Sequence, residues 1–245
     1  MLLNYFGAAA VNIFKKLLKT IILRINGNIV KSSVVFDEKT KFSIGNYVGN
    51  DCELYSVKIG IYSYINSGCC IDNAVIGGFS CIGRNVIIGL GQHPVDRVLF
   101  HRMFYASGIG VWKKFFFENN FSEVKETKIG SDVWIGAGSM VMDGVEIGNG
   151  TLVAAGSVVT KNLDEYSIYA GVPAKKIKNR FKNDDVKKYI SDFNTSSLMS
   201  ADDICNLAKT GFFNKGENDF ENSQDFIDFL ESKRVFLEKN NFTVN

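Results

Sequence analysis

"KIGSDVWIGAGSMVMDGVEIGNGTLVAAGSVVTKNL" spans residues 128–163, and an aliphatic side chain returns in it at every sixth position: Ile129, Ile135, Val141, Ile147, Val153 and Val159. Glycine follows three of them, as Gly130, Gly136 and Gly148. Four positions after each aliphatic stands Val133, Ser139, Val145, Thr151, Ser157 or Leu163, mostly small or β-branched. A period of six fits neither the helix, at about 3.6, nor the alternating strand, at about 2. It fits a short strand followed by a tight turn, repeated so that three units close one triangular coil. Stacked coils would pair through parallel ladders about 4.8 Å apart, each burying its neighbour's edge. The aliphatic residue is expected at the corner of the prism, and the residue two before it is expected to pack inward where space is short.

The same beat runs upstream through Ile59, Ile65 and Ile71, takes one five-residue step, and continues through Ile76, Ile82 and Ile88. Its inward partners include Ser63, Cys69, Ser80 and Val86, and "FSIGNYVG" (residues 42–49) reads as a ragged first coil. So long a run of hits makes accident improbable, and internal repetition takes precedence over any local propensity.

From Ile88 to Ile129 the beat is absent. Loops that long without a repeat of their own are usually functional or disordered. The aromatics here (Phe100, Phe104, Tyr105, Trp112, Phe115, Phe116, Phe117 and Phe121) argue for a folded wall over the prism. The interruption opens with "GLGQHPVDRVLFHRMFY" (residues 89–105), which holds both histidines of the chain, His93 and His101, and one of its two prolines, Pro94.

The flanks are different in kind. Residues 1–25 place Leu3, Phe6, Ile13, Phe14, Leu17, Leu18, Ile21, Ile22 and Ile25 at helical spacing, with Lys15, Lys16 and Lys19 opposite. Such a helix would cap the open end of the prism or lie on an anionic membrane surface as a peripheral contact. "GVPAKKIKNRF" (residues 171–181) ends the repeat, with Pro173 expected to stop strand pairing. Beyond it "DDVKKYISDF", "SADDICNLAKTGFF" and "SQDFIDFLESKRVFLEK" read as short amphipathic helices. The expected organisation is an N-terminal helix (1–28), a β-prism (29–180) with a loop insertion (91–127), and a helical extension (181–245).

The bulk numbers set bounds. A chain of 245 residues, 46% hydrophobic, can bury one sizeable core. Its 23 glycines against two prolines imply many tight turns made without proline. Five cysteines form no CxxC pair, and no secretory leader is seen, so a reducing cytoplasm is expected. No apolar run reaches the roughly 18 residues of a spanning helix. Net charge is +2, but residues 182–245 carry 8 Lys and Arg against 12 Asp and Glu, so the basic surplus sits on the prism. That suits an anionic small ligand and is too weak for nucleic acid.

The repeat resembles the hexapeptide-repeat family, whose members fold as left-handed parallel β-helices and are mostly trimeric acyltransferases. The fold class implied is all-β, a left-handed parallel β-helix. Its handedness comes from the resemblance, since the general crossover rule favours the right hand. "GQHPVDRVLFHRMFY" is similar to the loop of the family's sugar and antibiotic O-acetyltransferases, in which a histidine, then Pro or Arg, then Asp supplies the base. On that match His93 is the catalytic residue, with Asp96 or a loop carbonyl expected to fix its tautomer, and His101 packs in the wall. "YINSGCCIDN" (residues 64–73) resembles the segment whose asparagine contacts the acceptor, which falls on Asn66; Asp96 and Tyr105 are expected beside it. "DVWIGAGSMV" and "VAAGSVVTK" resemble the coils lining the acetyl-CoA cleft. The residues implied are Trp134, Ala137, Ala155, Thr160 and Lys161, with Lys175 and Lys178 meeting the phosphates. After Asp96 the chain departs from the family pattern, with Arg97, Val98, Leu99 and Phe100 where small hydroxyl residues are common, which bears on the acceptor more than on the reaction.

Imidazole, with an ordinary pKa of about 6.5, can take a hydroxyl proton and return it to a leaving thiolate. No G-x-S-x-G and no P-loop is present. The resemblance implies direct transfer from acetyl-CoA, without a metal, to a sugar hydroxyl of cell-surface polysaccharide or its precursor. Alternatives are transfer to the amine of an amino-sugar nucleotide, to an antibiotic, or a noncatalytic β-helix scaffold. Some family members are zinc carbonic anhydrases, but two histidines fall short of the three ligands those need. A homotrimer follows from the resemblance, and a cytoplasmic enzyme working at the inner membrane face is expected.

Overall fold

In a computed structural model of the chain, residues 21, 23–105, 121–183, 186 and 214–239 are described. Their strands are short and stack as coils. The first coil is Ile29–Val30 (β1), Val35–Phe36 (β2) and Lys41–Phe42 (β3). The second is Tyr47–Val48 (β4), Glu53–Tyr55 (β5) and Lys58–Ile59 (β6); the third is Tyr64–Ile65 (β7), Cys70–Asp72 (β8) and Ala74–Ile76 (β9). The fourth takes Cys81–Ile82 (β10), Ile87–Ile88 (β11) and, after the interruption, Thr127–Ile129 (β12). Trp134–Ile135 (β13), Met140–Val141 (β14) and Glu146–Ile147 (β15) form the fifth. Leu152–Val153 (β16) and Val158–Val159 (β17) begin the sixth, which a bridge from Leu163 to Ile147 closes. The chain then runs through Ser167–Ala170 (β18) and Lys175–Asn179 (β19).

Every third strand pairs. The first face orders β1-β4-β7-β10-β13-β16-β18-β19, the second β17-β14-β11-β8-β5-β2 and the third β15-β12-β9-β6-β3. Pairing is parallel throughout except for β18 with β19, which is antiparallel. This parallel β-solenoid of about seven turns matches a left-handed β-helix. The interruption leaves the register intact, since β9 pairs β12 through Thr127↔Ala74 and Ile129↔Ile76, as adjoining coils do elsewhere.

In most of the two-residue strands the second residue is the buried aliphatic, so Ile65, Ile82, Ile135 and Val153 stack in one fully buried column behind the first face. The aliphatics therefore fill the faces rather than the corners, because a two-residue turn follows each and carries the chain round. The residues two before them do turn inward. Asn46, Ser63, Ser80 and Thr151 are buried there, and they hydrogen-bond from coil to coil. Asn46 Oδ1 accepts from Ser63 N at 3.0 Å, Ser63 Oγ from Ser80 N at 3.0 Å, and Ser80 Oγ from Val133 N at 3.3 Å. Asn46, Ser63 and Ser80 thus each satisfy a backbone N–H that the turn leaves without a ladder partner, while Thr151 Oγ1 donates to Asp164 O at 2.6 Å.

Glycine is not the only corner residue. Tyr62 and Phe79 take φ of 51° and 58° in successive coils, and their rings stack at 5.9 Å, so packing offsets the left-handed backbone. Pro173 does not end strand pairing as expected. It lies in the turn that reverses the chain, and β19 pairs back along β18.

Of the expected N-terminal helix only residues 21 and 23–25 are described, and they are helical. The helices expected over 184–193 and 200–213 lie outside the described residues, apart from Val186, which is helical. The third is present as Ser223–Lys239 (α1), with Phe226, Ile227 and Leu230 buried.

Candidate active site

The corner between the second and third faces holds the candidate site. Other coils turn it within a few residues, whereas the fourth leaves at Ile88 and returns at Thr127. Gly89 starts the departure at φ 77°, and a Cβ there would sit 2.2 Å from the Asp72 carbonyl oxygen, so only glycine fits. Two contacts hold the neck of the loop closed. Gln92 N donates to Glu123 O at 2.8 Å, and Lys125 N donates to Asp143 Oδ2 at 2.5 Å. Asp143 is buried, which ties the returning strand to the coil below.

Above this neck four side chains form one polar chain. His93 Nδ1 lies 2.5 Å from Tyr105 Oη. Tyr105 donates its hydroxyl to Glu123 Oε1 at 2.7 Å, and Arg102 Nη2 pairs with Glu123 Oε2 at 2.8 Å. Tyr105 is fully buried, with Phe121 edge-on at 5.5 Å and the His93 ring edge-on at 6.0 Å. Burial first, then the hydrogen bond to Glu123 and its charge, push the Tyr105 phenol up to about 12, so it stays protonated. Arg102 sits in a short 3-10 turn, Arg102–Phe104, capped by His101, whose Nδ1 accepts from Met103 N at 3.2 Å. His93 itself is exposed, and among the described residues no protein group bonds its Nε2. The arrangement presents one ring nitrogen outward and anchors the other. That is what a general base requires.

Several expected roles change. Asp96 is exposed and makes no hydrogen bond to His93, so it does not fix the ring; Tyr105 does. Tyr105 is correspondingly no acceptor contact, because its ring is buried and its hydroxyl is committed to His93 and Glu123. His101 is exposed, caps a turn, and sets its ring edge-on to Phe104 of the wall at 6.3 Å. Trp112 and Phe115 to Phe117 lie outside the described residues. Glu123 was missed altogether. Its only sequence signal is an acidic side chain two residues after the aromatic Phe121, just before the repeat resumes.

The remaining candidates fall on other parts of the prism. Asn66 is half-buried at the corner between the first and second faces, its Oδ1 accepting from Ser67 N at 2.9 Å. Ala137 and Ala155 are exposed at that same corner in successive coils. A Cβ on Gly136 would lie 2.4 Å from Ala155 N, so the two coils approach backbone to backbone. Trp134 lies on the first face, 54% exposed. Thr160 and Lys161 are exposed at the second-to-third corner of the sixth coil, and Lys175 and Lys178 are exposed on β19. Among the described residues no hydrogen bond or ring contact joins His93 to any of these. No group of three His, Cys, Asp or Glu able to hold a metal occurs among the described residues.

Residues 126–161 match the bacterial transferase hexapeptide (six repeats) family model. The match is to the repeat, over the stretch that forms β12 to β17. It is 35% identical over 119 residues to a chloramphenicol acetyltransferase of Klebsiella aerogenes, covering 47% of this chain and 56% of that one. It is 32% identical over 131 residues to a galactoside O-acetyltransferase of Lactococcus lactis, covering 53% and 55%. The hexapeptide-repeat chain thus spans about half the length of these relatives. Among solved structures it resembles AntD, an N-acyltransferase from Bacillus cereus in complex with dTDP and coenzyme A. The TM-score is 0.51 and the identity 22%, covering 68% of this chain and 86% of that one, a likeness of fold.

Proposed function

We propose that the protein transfers an acetyl group from acetyl-CoA to a hydroxyl of a sugar, of cell-surface polysaccharide or its precursor, with His93 as general base. One observation carries this: His93 is exposed with its Nδ1 anchored on Tyr105 and its Nε2 unpartnered among the described residues. Nε2 takes the proton of the acceptor hydroxyl as its oxygen attacks the thioester carbonyl. The carbon–sulfur bond then breaks, and the proton passes from Nε2 to the leaving thiolate. The names of the relatives support acetyl transfer, and one of them specifies O-acetylation of a galactoside.

Coenzyme A would lie along the corner carrying Ala137 and Ala155, past Trp134, with Thr160, Lys161, Lys175 and Lys178 toward its phosphates. Asn66 and Asp96 would face the acceptor. The loop leaves from one corner and the alanines line another. A homotrimer that set the loop of one copy against the alanine corner of the next would bring them together.

A second reading, acetyl transfer to an antibiotic hydroxyl, is favoured by the chloramphenicol relative. Free-thiol release from acetyl-CoA separates the two, measured with galactosides, sugar nucleotides, amino-sugar nucleotides and chloramphenicol as acceptors. Release with the sugars supports the proposal, and release with chloramphenicol alone supports the second reading. Failure to bind coenzyme A would overturn both and leave a noncatalytic scaffold.

A further inference from the structure

We infer that Tyr105 and Glu123, clamped by Arg102, act as a relay that sets the tautomer of His93 and so makes Nε2 the basic nitrogen. The inference rests on the reading of His93 as the base. Its logic is a count of protons. Glu123 is paired with Arg102, and a carboxylate only accepts, so the hydrogen bond of 2.7 Å between Tyr105 and Glu123 uses the one phenolic proton. The Tyr105 oxygen then has only lone pairs to offer His93. The contact at Nδ1 therefore requires the proton on Nδ1, and a neutral ring must carry its lone pair on Nε2.

The direction of the relay is fixed by charge at its far end. Arg102 and Tyr105 come from the start of the loop and Glu123 from its end, so the two loop limbs must meet for the relay to exist. Burial of Tyr105 excludes water, which could otherwise supply or take a proton at the phenol. Glu123→Gln removes the fixed direction, because an amide both donates and accepts. Its NH₂ can donate to Tyr105, which then donates to Nδ1 and leaves the proton on Nε2. Tyr105 and Glu123 are thus positioning residues. Neither reaches the acceptor.

With only two histidines in the chain, ¹⁵N-histidine NMR of the full-length protein reads the relay directly, and a His101→Asn variant assigns the signals. At a pH where the ring is neutral, His93 should show a protonated Nδ1 and an unprotonated Nε2. In Tyr105→Phe, which keeps the buried ring, and in Glu123→Gln, the proton should shift toward Nε2. Thiol release should fall about 10-fold to 10²-fold in both variants while coenzyme A binding is unchanged, the scale seen when an orienting partner of a site residue is removed. A wild-type ring protonated on Nε2, or a tautomer indifferent to both substitutions, would overturn the relay. If the tautomers behave as stated but no acceptor supports thiol release, the relay stands and the acetyl-transfer reading falls.

Discussion

Two corners of the same coil obey different rules. Between the first and second faces the fourth coil turns in the few residues after Ile82, and Gly83 there is so close to the coil below that a Cβ would lie 2.6 Å from Ala137 N. Between the second and third faces that coil runs from Ile88 to Thr127, and the described parts of the loop meet through a handful of polar contacts, among them those of His93, Tyr105, Glu123 and Arg102. The first corner is determined many times over, since every coil repeats the same backbone approach. The second is determined once, by particular side chains. The periodic part supplies a rigid edge, and the proposed base stands where the period breaks.

That contrast can be broken from either side. The largest loss of stability belongs to the buried column. Ile135→Ala, at a fully buried position, should lower the unfolding free energy in urea by about 2–5 kcal/mol. Gly136→Ala forces a Cβ against the backbone of Ala155 and should cost about 1–3 kcal/mol by the same measurement. Ser80→Ala sharpens the comparison, because Ser80 Oγ bridges the interruption by donating to Gly130 O at 2.9 Å and accepting from Val133 N. The orphaned buried N–H should cost about 1–2 kcal/mol.

The smallest effect is a pH dependence at the first coils. Burial acts to raise the Asp37 carboxyl, but hydrogen bonds from Thr40 and Ser56 outweigh it and hold it at about 2. A lowered carboxylate stabilises the fold above its unfolded pKa, and the stabilisation is lost as pH falls from about 4 toward 2. Asp37→Asn should flatten the melting temperature over that window alone, seen in thermal melts at stepped pH.

The fold was legible because a six-residue period admits few structures, and Ile129 to Val159 state it without a gap. What the period could not say was where within a coil each residue sits, so the aliphatics were expected at corners when they line faces. The position of His93 where the repeat stops was legible too, and its role as base is a proposal. Its partners were not. Tyr105 and Glu123 stand apart in the chain and meet only because the loop folds back, a non-local contact that no spacing rule encodes. Asp96, close to His93 in sequence, was the natural guess, but it points to solvent.

The most direct test compares His93→Ala with the wild type in thiol release from acetyl-CoA and, on the same samples, in thermal unfolding. The rate should fall by about 10²-fold or more while the melting temperature stays where it was, because the site and the prism are separately determined. A rate that survives the substitution would contradict the assignment of His93 as the base.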